Sequence, residues 1–264
     1  MTGPIELTWL DLAVAATLIL VNAGLSAMLG LGLGRKLLVA AARTVVQLTA
    51  LGWVLVPVFG LGSPWPIAAL GTLMIGLAAR AAVGRSARTY PGAARVGFGS
   101  LLLAAGLTTV LGTAAVIGTD PWWTPRYFIP LLGMVLGNGL TGISLGLDRA
   151  LSELDEGRAR VEGRLALGAT AREACRPLAR DAIRTGMIPI LNTMTVVGLV
   201  SIPGMMTGQL LGGTPPLQAA RYQIVIMFLI AASTALGTAG MVLVSLRLAF
   251  DDAHRLRRDW IRER

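Results

Sequence analysis

The sequence predicts an all-α, polytopic membrane protein with seven transmembrane helices. Its N-terminus lies outside, its C-terminus inside, and a large polar insert faces the cytoplasm. Three observations carry this expectation. The 264-residue chain is 54% hydrophobic and 14% charged, against roughly 25% charged residues in ordinary soluble domains. Six stretches, 12–34, 44–79, 96–119, 127–147, 185–220 and 222–246, contain no Asp, Glu, Lys or Arg. The basic residues between them gather in alternate loops. A helix needs about 20 apolar residues to cross a bilayer core. Backbone groups in lipid must find partners within the segment, so helices are the expected element.

Taken in order, the first helix spans about 9–30. Glu6 and Asp11 precede its apolar run, which is too long for a cleavable leader and lacks a basic start. The run 44–79 holds a turn-rich break from Gly60 to Pro66 and divides into helices at about 37–59 and 66–83. Arg43 reaches the interface from the end of the first of these, as long basic side chains do. Helices four and five span about 96–118 and 127–147, and the sixth about 185–204. The rest of the run 185–220 contains Pro203, Gly204, Gly208, Gly212, Gly213, Pro215 and Pro216 and reads as a loop outside the cytoplasm. A seventh helix at about 222–247 leads into a basic cytoplasmic tail, 248–264. The whole of 1–264 reads as one transmembrane permease domain.

Positive charge tests the count, because cytoplasmic loops collect Lys and Arg. With the N-terminus outside, all of the 23 basic residues except Arg126 and Arg221 fall on the cytoplasmic side. An eighth helix within 205–220 would send the six arginines from Arg247 onward to the wrong face. The net charge of +9 is therefore a topology signal, reinforced by anionic lipid head groups, and calls for no nucleic-acid partner, including at the tail segment around His254 and Arg258. The lone Cys175 excludes an intrachain disulfide and a multi-cysteine metal site.

Within the spans, Gly133/Gly137, Gly142/Gly146 and Gly30/Gly34 stand at helical spacing, which lets helices approach closely in lipid. Polar side chains are few. Asn22 and Ser26 share a face, as do Arg43 and Gln47. Asn138 and Thr141 sit in helix five, and Asn192, Thr193 and Thr195 in helix six. They serve either as hydrogen-bond partners between helices or as a polar path, with Pro130 and Pro189 interrupting their helices and freeing carbonyls along it. Met205 and Met206 offer thioethers, which suit soft ions and equally suit gap filling. The expected solute path comprises Arg43, Gln47, Asn138, Asn192, Met205, Met206 and Gln209; metal ligands are not specified.

Lys36 is the only lysine, so the chain has no conventional phosphate-binding loop. The spans hold no carboxylate for a proton relay and no nucleophile–base pair for hydrolysis. The chain reads as a transporter subunit rather than an enzyme, binding no cofactor of its own. Residues 148–184 form the insert, which is long for a simple connector. Glu162 precedes Gly168 by six residues, Gly168-Ala-Thr170 is a helix-breaking turn, and 171–184 is helical in composition with an interruption at Pro177. Such a charged helix–turn–helix is expected to dock a partner protein.

The pattern Glu162-Gly-Arg-x3-Gly168 is similar to the coupling-loop motif Glu-Ala-Ala-x3-Gly of ABC importer permeases, with Gly163 and Arg164 where the alanines usually stand. More widely, Arg43-Thr-Val-Val-Gln47, Ile129-Pro-Leu-Leu-Gly-Met-Val-Leu-Gly-Asn138, Leu165-Ala-Leu-Gly-Ala-Thr170 and Leu199-Val-Ser-Ile-Pro-Gly-Met-Met-Thr-Gly208 resemble the FetB family of bacterial inner-membrane permeases. That family includes the membrane subunits of plant aluminium-tolerance transporters. The resemblance covers about 5–250. It implies an ABC permease that exports iron from the cytoplasm, as a homodimer with two FetA-type ATPase chains carrying the ATP and Mg²⁺. It also implies that Glu162, Gly168, Ala169, Thr170, Glu173 and Arg176 couple the permease to the ATPase. The plant branch is associated with a sugar nucleotide, so another metal or a sugar nucleotide is the alternative cargo. An ATP-independent channel or secondary transporter, or a non-transporting scaffold, would use the same insert as a regulatory or recruiting loop.

Overall fold

The computed structural model describes residues 8–60, 63–251, 255–257 and 260–263. The chain forms two compact units, one holding the described part of 1–62 with 209–214, the other the remainder.

In the first unit, α1 (Trp9–Met28) opens on a reciprocal cap. The Thr8 hydroxyl accepts from the Asp11 backbone N–H, and the Asp11 carboxylate accepts from the Thr8 N–H at 2.8 Å. The chain reverses through Gly30 and Gly32, both at positive φ, where a side chain would be strained. The buried Ser26 hydroxyl accepts from the Leu33 N–H at 2.9 Å and pins the turn. α2 (Gly34–Gly60) then packs back along α1. The expected Gly30/Gly34 pair is corrected here: Gly30 lies in the turn and Gly34 starts the next helix, so the two never share a helical face.

The second unit contains α3 (Pro64–Arg85), the short strand β1 (Arg88–Thr89) and a fourth span, Ala93–Ile117. That span alternates α4 (Ala93–Leu101), a π segment (Leu102–Gly106), α5 (Leu107–Leu111) and a second π segment (Gly112–Ile117). It continues with α6 (Pro125–Glu156), α7 (Arg158–Ala166) and α8 (Ala171–Val196). The eight-residue α9 (Gly204–Leu211), whose residues divide between the units, leads to α10 (Pro216–Leu248), and β2 (Arg262–Glu263) closes the chain. Among the described residues, six helices are long and apolar enough to cross a membrane: α1, α2, α3, the span Ala93–Ile117, α6 and α10.

α6 is the axis of this unit and packs on α3, α8 and α10. Its crossing with α8 and α10 is built on glycine. A Cβ added to Gly142 would lie 2.6 Å from Thr238 Oγ1 and 3.1 Å from the Gly186 carbonyl, and one added to Gly186 would lie 2.6 Å from the Gly142 carbonyl. Small residues at such crossings are what lipid-embedded helices use in place of a hydrophobic driving force.

The structure departs from expectation where polar and apolar sequence meet. α6 does not stop at 147 but runs to Glu156, and α8 begins at Ala171 inside the supposed insert. The insert is thus the polar ends of two long helices with α7 between them. Pro130, Pro177 and Pro189 lie inside helices that continue through them. Each removes one backbone donor, a defect that neighbouring helices and side-chain bonds accommodate. The sixth expected crossing, 185–204, also has other bounds. α8 ends at Val196, Gly198 adopts positive φ and its N–H donates to the Ser201 carbonyl at 2.9 Å. The apolar part of α8, 185–196, is therefore about 18 Å long at 1.5 Å per residue, short of a bilayer core of about 30 Å.

Candidate functional site

The polar ends of α6 and α8 carry a module whose turn is specified residue by residue. α6 ends at Gly157, whose N–H donates to the Glu153 carbonyl at 2.9 Å, and a Cβ there would sit 2.6 Å from that same oxygen. α7 buries Val161, 1% exposed, and packs Leu165 against the same core, while Leu167 at its end is 90% exposed. Gly168, at φ +90°, closes α7: its N–H donates to the Leu165 carbonyl at 3.0 Å and the Ala169 N–H to the Arg164 carbonyl at 3.1 Å. That paired pattern with a left-handed glycine is the Schellman motif.

Two residues on, α8 starts with a capping box. The Thr170 hydroxyl accepts from the Glu173 N–H at 3.3 Å, and the Glu173 carboxylate accepts from the Thr170 N–H at 2.9 Å and its hydroxyl at 2.8 Å. These bonds from Thr170 hold the Glu173 carboxyl below the usual range. Arg164 then ties the helices together, its Nη1 donating to the Ala174 carbonyl at 3.1 Å.

Of the residues expected to contact a partner, Gly168, Ala169, Thr170 and Glu173 thus form one doubly capped turn. Glu162 lies half-buried on α7, and Arg176 is exposed one turn further along α8. The Thr170-x-x-Glu173 signature was legible in the sequence as a helix start, although the expected helix in this region was drawn from composition alone.

Beneath the turn, Ala150 and Leu154 of α6, Cys175, Leu178 and Ala182 of α8, and Val242 and Leu246 of α10 form one buried cluster. Burial pushes the Cys175 thiol up to about 11, against the lowering effect of the Arg164 charge.

The C-terminal segment seals this cluster, where a free basic tail was expected. Leu256, Trp260 and Ile261 pack against it, and the Arg257 N–H donates to the Ala249 carbonyl at 2.9 Å. β2 pairs antiparallel with β1, placing Arg88 opposite Glu263. Trp260 stacks on Tyr90 with ring centroids 4.0 Å apart, and the Tyr90 and Ser245 hydroxyls lie 2.8 Å apart. Burial raises the Tyr90 phenol, so it stays neutral. Arg88 gathers Asp155 and Glu156, each at 3.3 Å, and donates to the Ser152 hydroxyl at 2.6 Å, while Asp148 accepts from the Ala87 N–H at 2.8 Å. These residues were missed at the sequence level. The available signal was an aromatic, Trp260, within a strongly charged tail. His254 and Arg258, the other residues singled out there, lie outside the described residues.

The expected solute-path residues are dispersed. Arg43 and Gln47 are exposed on α2 of the first unit, which also holds Gln209. Asn138, Asn192, Met205 and Met206 belong to the second. Asn138 Nδ2 donates to the Met134 carbonyl at 3.0 Å, and the hydroxyls of Thr141, Thr193 and Thr195 likewise bond carbonyls four residues back. These bonds stay within single helices instead of joining neighbours. Among the described residues, no group of three or more His, Cys, Asp and Glu is placed to hold a metal ion.

Comparison with known proteins assigns the chain to a family. The model of the uncharacterised protein family UPF0014 matches residues 9–250. A UPF0014 membrane protein of Synechocystis, slr1647, is 40% identical over 96% of this chain and 97% of its own length. The rice UPF0014 membrane protein STAR2 is 35% identical over 84% of this chain and 77% of its own. The Escherichia coli protein named "Probable iron export permease protein FetB" is 28% identical over 93% of each chain, which bears out the resemblance read from the motifs. No solved structure matches. With six helices among the described residues long and apolar enough to cross a membrane and relatives named as membrane proteins along nearly its whole length, the chain is a multi-pass membrane protein and belongs to the family UPF0014.

Proposed function

We propose that this chain is the permease subunit of an ABC-type exporter in a bacterial inner membrane, working as a homodimer with a separate ATPase that carries the ATP and Mg²⁺. The observation that supports it best is the doubly capped turn between α7 and α8. It presents Leu167, 90% exposed, and the Gly168 backbone on a rigid base. α8, which begins at this turn, is the helix that crosses α6 where Gly186 meets Gly142. Closure of an ATPase against this turn displaces α7. Because α6 and α8 are continuous from the polar module into the apolar bundle, the displacement reaches the bundle without a flexible joint.

The distribution of basic residues supports an N-outside, C-inside arrangement, with α8 and the segment after it providing a seventh passage. Iron is the cargo suggested by the E. coli relative's name. A second reading is favoured by the donor chemistry of the predicted path, which consists of amides and thioethers with Arg43. Such groups suit a chelated metal or an organic solute better than bare Fe²⁺, which takes imidazole or carboxylate ligands.

The test is solute uptake into inside-out vesicles containing the permease and a co-expressed ATPase, comparing Fe²⁺, other metals and sugar nucleotides. ATP-dependent uptake of one of these is expected. Uptake that proceeds without ATP would favour a self-sufficient carrier. Gly168→Pro forces φ to about −65° and removes the N–H that closes α7. It should abolish substrate-stimulated ATP hydrolysis while the protein still inserts, and unchanged coupling would overturn the docking assignment.

A further inference from the structure

α8 carries a ladder of arginines that local packing does not explain. Arg172, Arg176, Arg180 and Arg184 recur every four residues and are all exposed. Like charges at this spacing repel one another. Elsewhere in the same unit, guanidinium groups find carboxylates: Arg88 draws Asp155, Glu156 and Glu263, and Arg149 pairs with Glu153. Among the described residues, no such ion pair forms along the ladder. Glu173, next to Arg172, is committed to the Thr170 cap. Arg176, Arg180 and Arg184 instead line an open cleft of about 530 Å³ with Pro177 and Asp181. One carboxylate against three guanidinium groups leaves the cleft strongly positive.

The chemistry changes abruptly after Arg184. No charged residue follows until Arg221, and on the continuation of the same helical face Ile188 and Leu191 are 51% and 53% exposed. A cationic cleft thus adjoins an exposed apolar strip along one helix. Planar guanidinium groups bind phosphate in paired hydrogen bonds, and acyl chains cover apolar helix surface. A soluble phosphate compound would make no use of the strip.

We propose that this cleft is a binding site for an anionic phospholipid, with the phosphate held by Arg176, Arg180 and Arg184 and the acyl chains laid along Ile188 and Leu191. The site is independent of the ATPase reading, although Arg176 belongs to both. The readout is therefore lipid binding by the purified full-length permease without any ATPase.

Phosphatidylglycerol and phosphatidylcholine are titrated into the detergent-solubilised protein and bound lipid is counted by native mass spectrometry. Phosphatidylglycerol should bind at least tenfold more tightly. At about fivefold per arginine near a membrane surface, R180Q/R184Q should weaken it about 25-fold. R180K/R184K, which keeps the charges but loses the paired bonds, should bind between the parent and R180Q/R184Q and also controls for folding, and R126Q should change nothing. Equal binding of the two lipids, or a R180Q/R184Q variant within twofold of the parent, would overturn the proposal. So would inorganic phosphate displacing the lipid at matched concentration, which would mark a soluble-phosphate site. Cross-linking of two copies through position 184 with no lipid bound would mark the face as an interface between subunits.

Discussion

The α6–α8–α10 bundle is held together in two different ways along its length. In its middle, Gly142, Gly146 and Gly186 bring backbones so close that Thr238 fills the remaining space. At its polar end, the same helices stand around a cluster of Leu, Val, Ala and Cys, capped by Trp260 and ringed by the Arg88 ion pairs. The solvent explains the difference. Lipid tails are as apolar as leucine, so helices in a bilayer gain from close contact rather than from hiding apolar area. In water the hydrophobic effect returns, at roughly 25 cal/mol per Å², and larger side chains become useful. The middle is thus intolerant of volume, whereas the end is intolerant of truncation.

The comparison breaks most sharply at the glycines. Gly186→Ala places a Cβ 2.5 Å from Thr238 Cγ2 and 2.6 Å from a backbone oxygen, and should cost about 3 kcal/mol or more. Gly146→Ala meets mainly the Thr238 methyl at 2.7 Å, so adding Thr238→Ala should restore much of the loss. That rescue should fail for Gly186→Ala, because a carbonyl cannot be trimmed. Thermal melts of the detergent-solubilised single and double variants measure this, and equal rescue of both would show that the crossing is not backbone-limited.

Trp260→Ala tests the other regime. It removes the stack on Tyr90 and part of the seal over the cluster, together worth about 2 kcal/mol. The expected result is a lower melting temperature and faster amide exchange in 86–92, with membrane insertion unchanged. Exchange that stays at the parent rate would mean the tail does not hold that loop.

The smallest effect concerns Cys175. Its folded thiol titrates near 11 rather than near 9, so its stabilising contribution is complete below about 9 and is lost as pH rises through about 11. At pH 8 the folded thiolate population is roughly a hundredfold below that of an ordinary thiol. Maleimide labelling should therefore be slow in the folded protein and rise on unfolding. Rapid labelling of the folded state would contradict a closed cluster.

Charge-free runs in the sequence mark where lipid begins and ends, and they locate α1, α2, α3 and the fourth span within a few residues, whereas α10 begins at Pro216 rather than near 222 and carries Arg221 within it. They do not mark where helices end. α6 passes Asp148 and continues to Glu156 because a helix leaving the membrane keeps its own hydrogen bonds, and Arg149, Ala150, Leu151 and Glu153 beyond that boundary are good helix formers. Pro177 and Pro189 misled for a related reason: a long helix packed on two neighbours survives the loss of a single donor. The turn from Gly168 to Glu173 was half legible, its glycine read as a break and its capping box overlooked. The tail was illegible because pairing Arg88–Thr89 with Arg262–Glu263 depends on residues far apart in sequence.

The two π segments in Ala93–Ile117 bear on phase. Buried positions there include Ala93, Gly97, Leu101, Ala105, Thr109 and Thr113, a repeat of four, with Ala104, Thr108 and Gly112 buried beside it. In an unbroken α-helix that repeat drifts by about 40° each time and would wind about 200° around the axis over this length. The π turns, with their wider i→i+5 closure, absorb the drift beyond Leu101, where Ala104 meets Gly237 and Gly112 meets Leu229 of α10, whereas Gly97 on the preceding α4 faces Ala79 and Val83 of α3. The helix behaves as a screw whose thread has been recut to match a straight rail. Straightening either π segment to α geometry at unchanged length would rotate everything beyond it by roughly a quarter turn and present lipid-facing leucines to the core, whereas deleting one residue from it would remove the bulge and leave that phase in place.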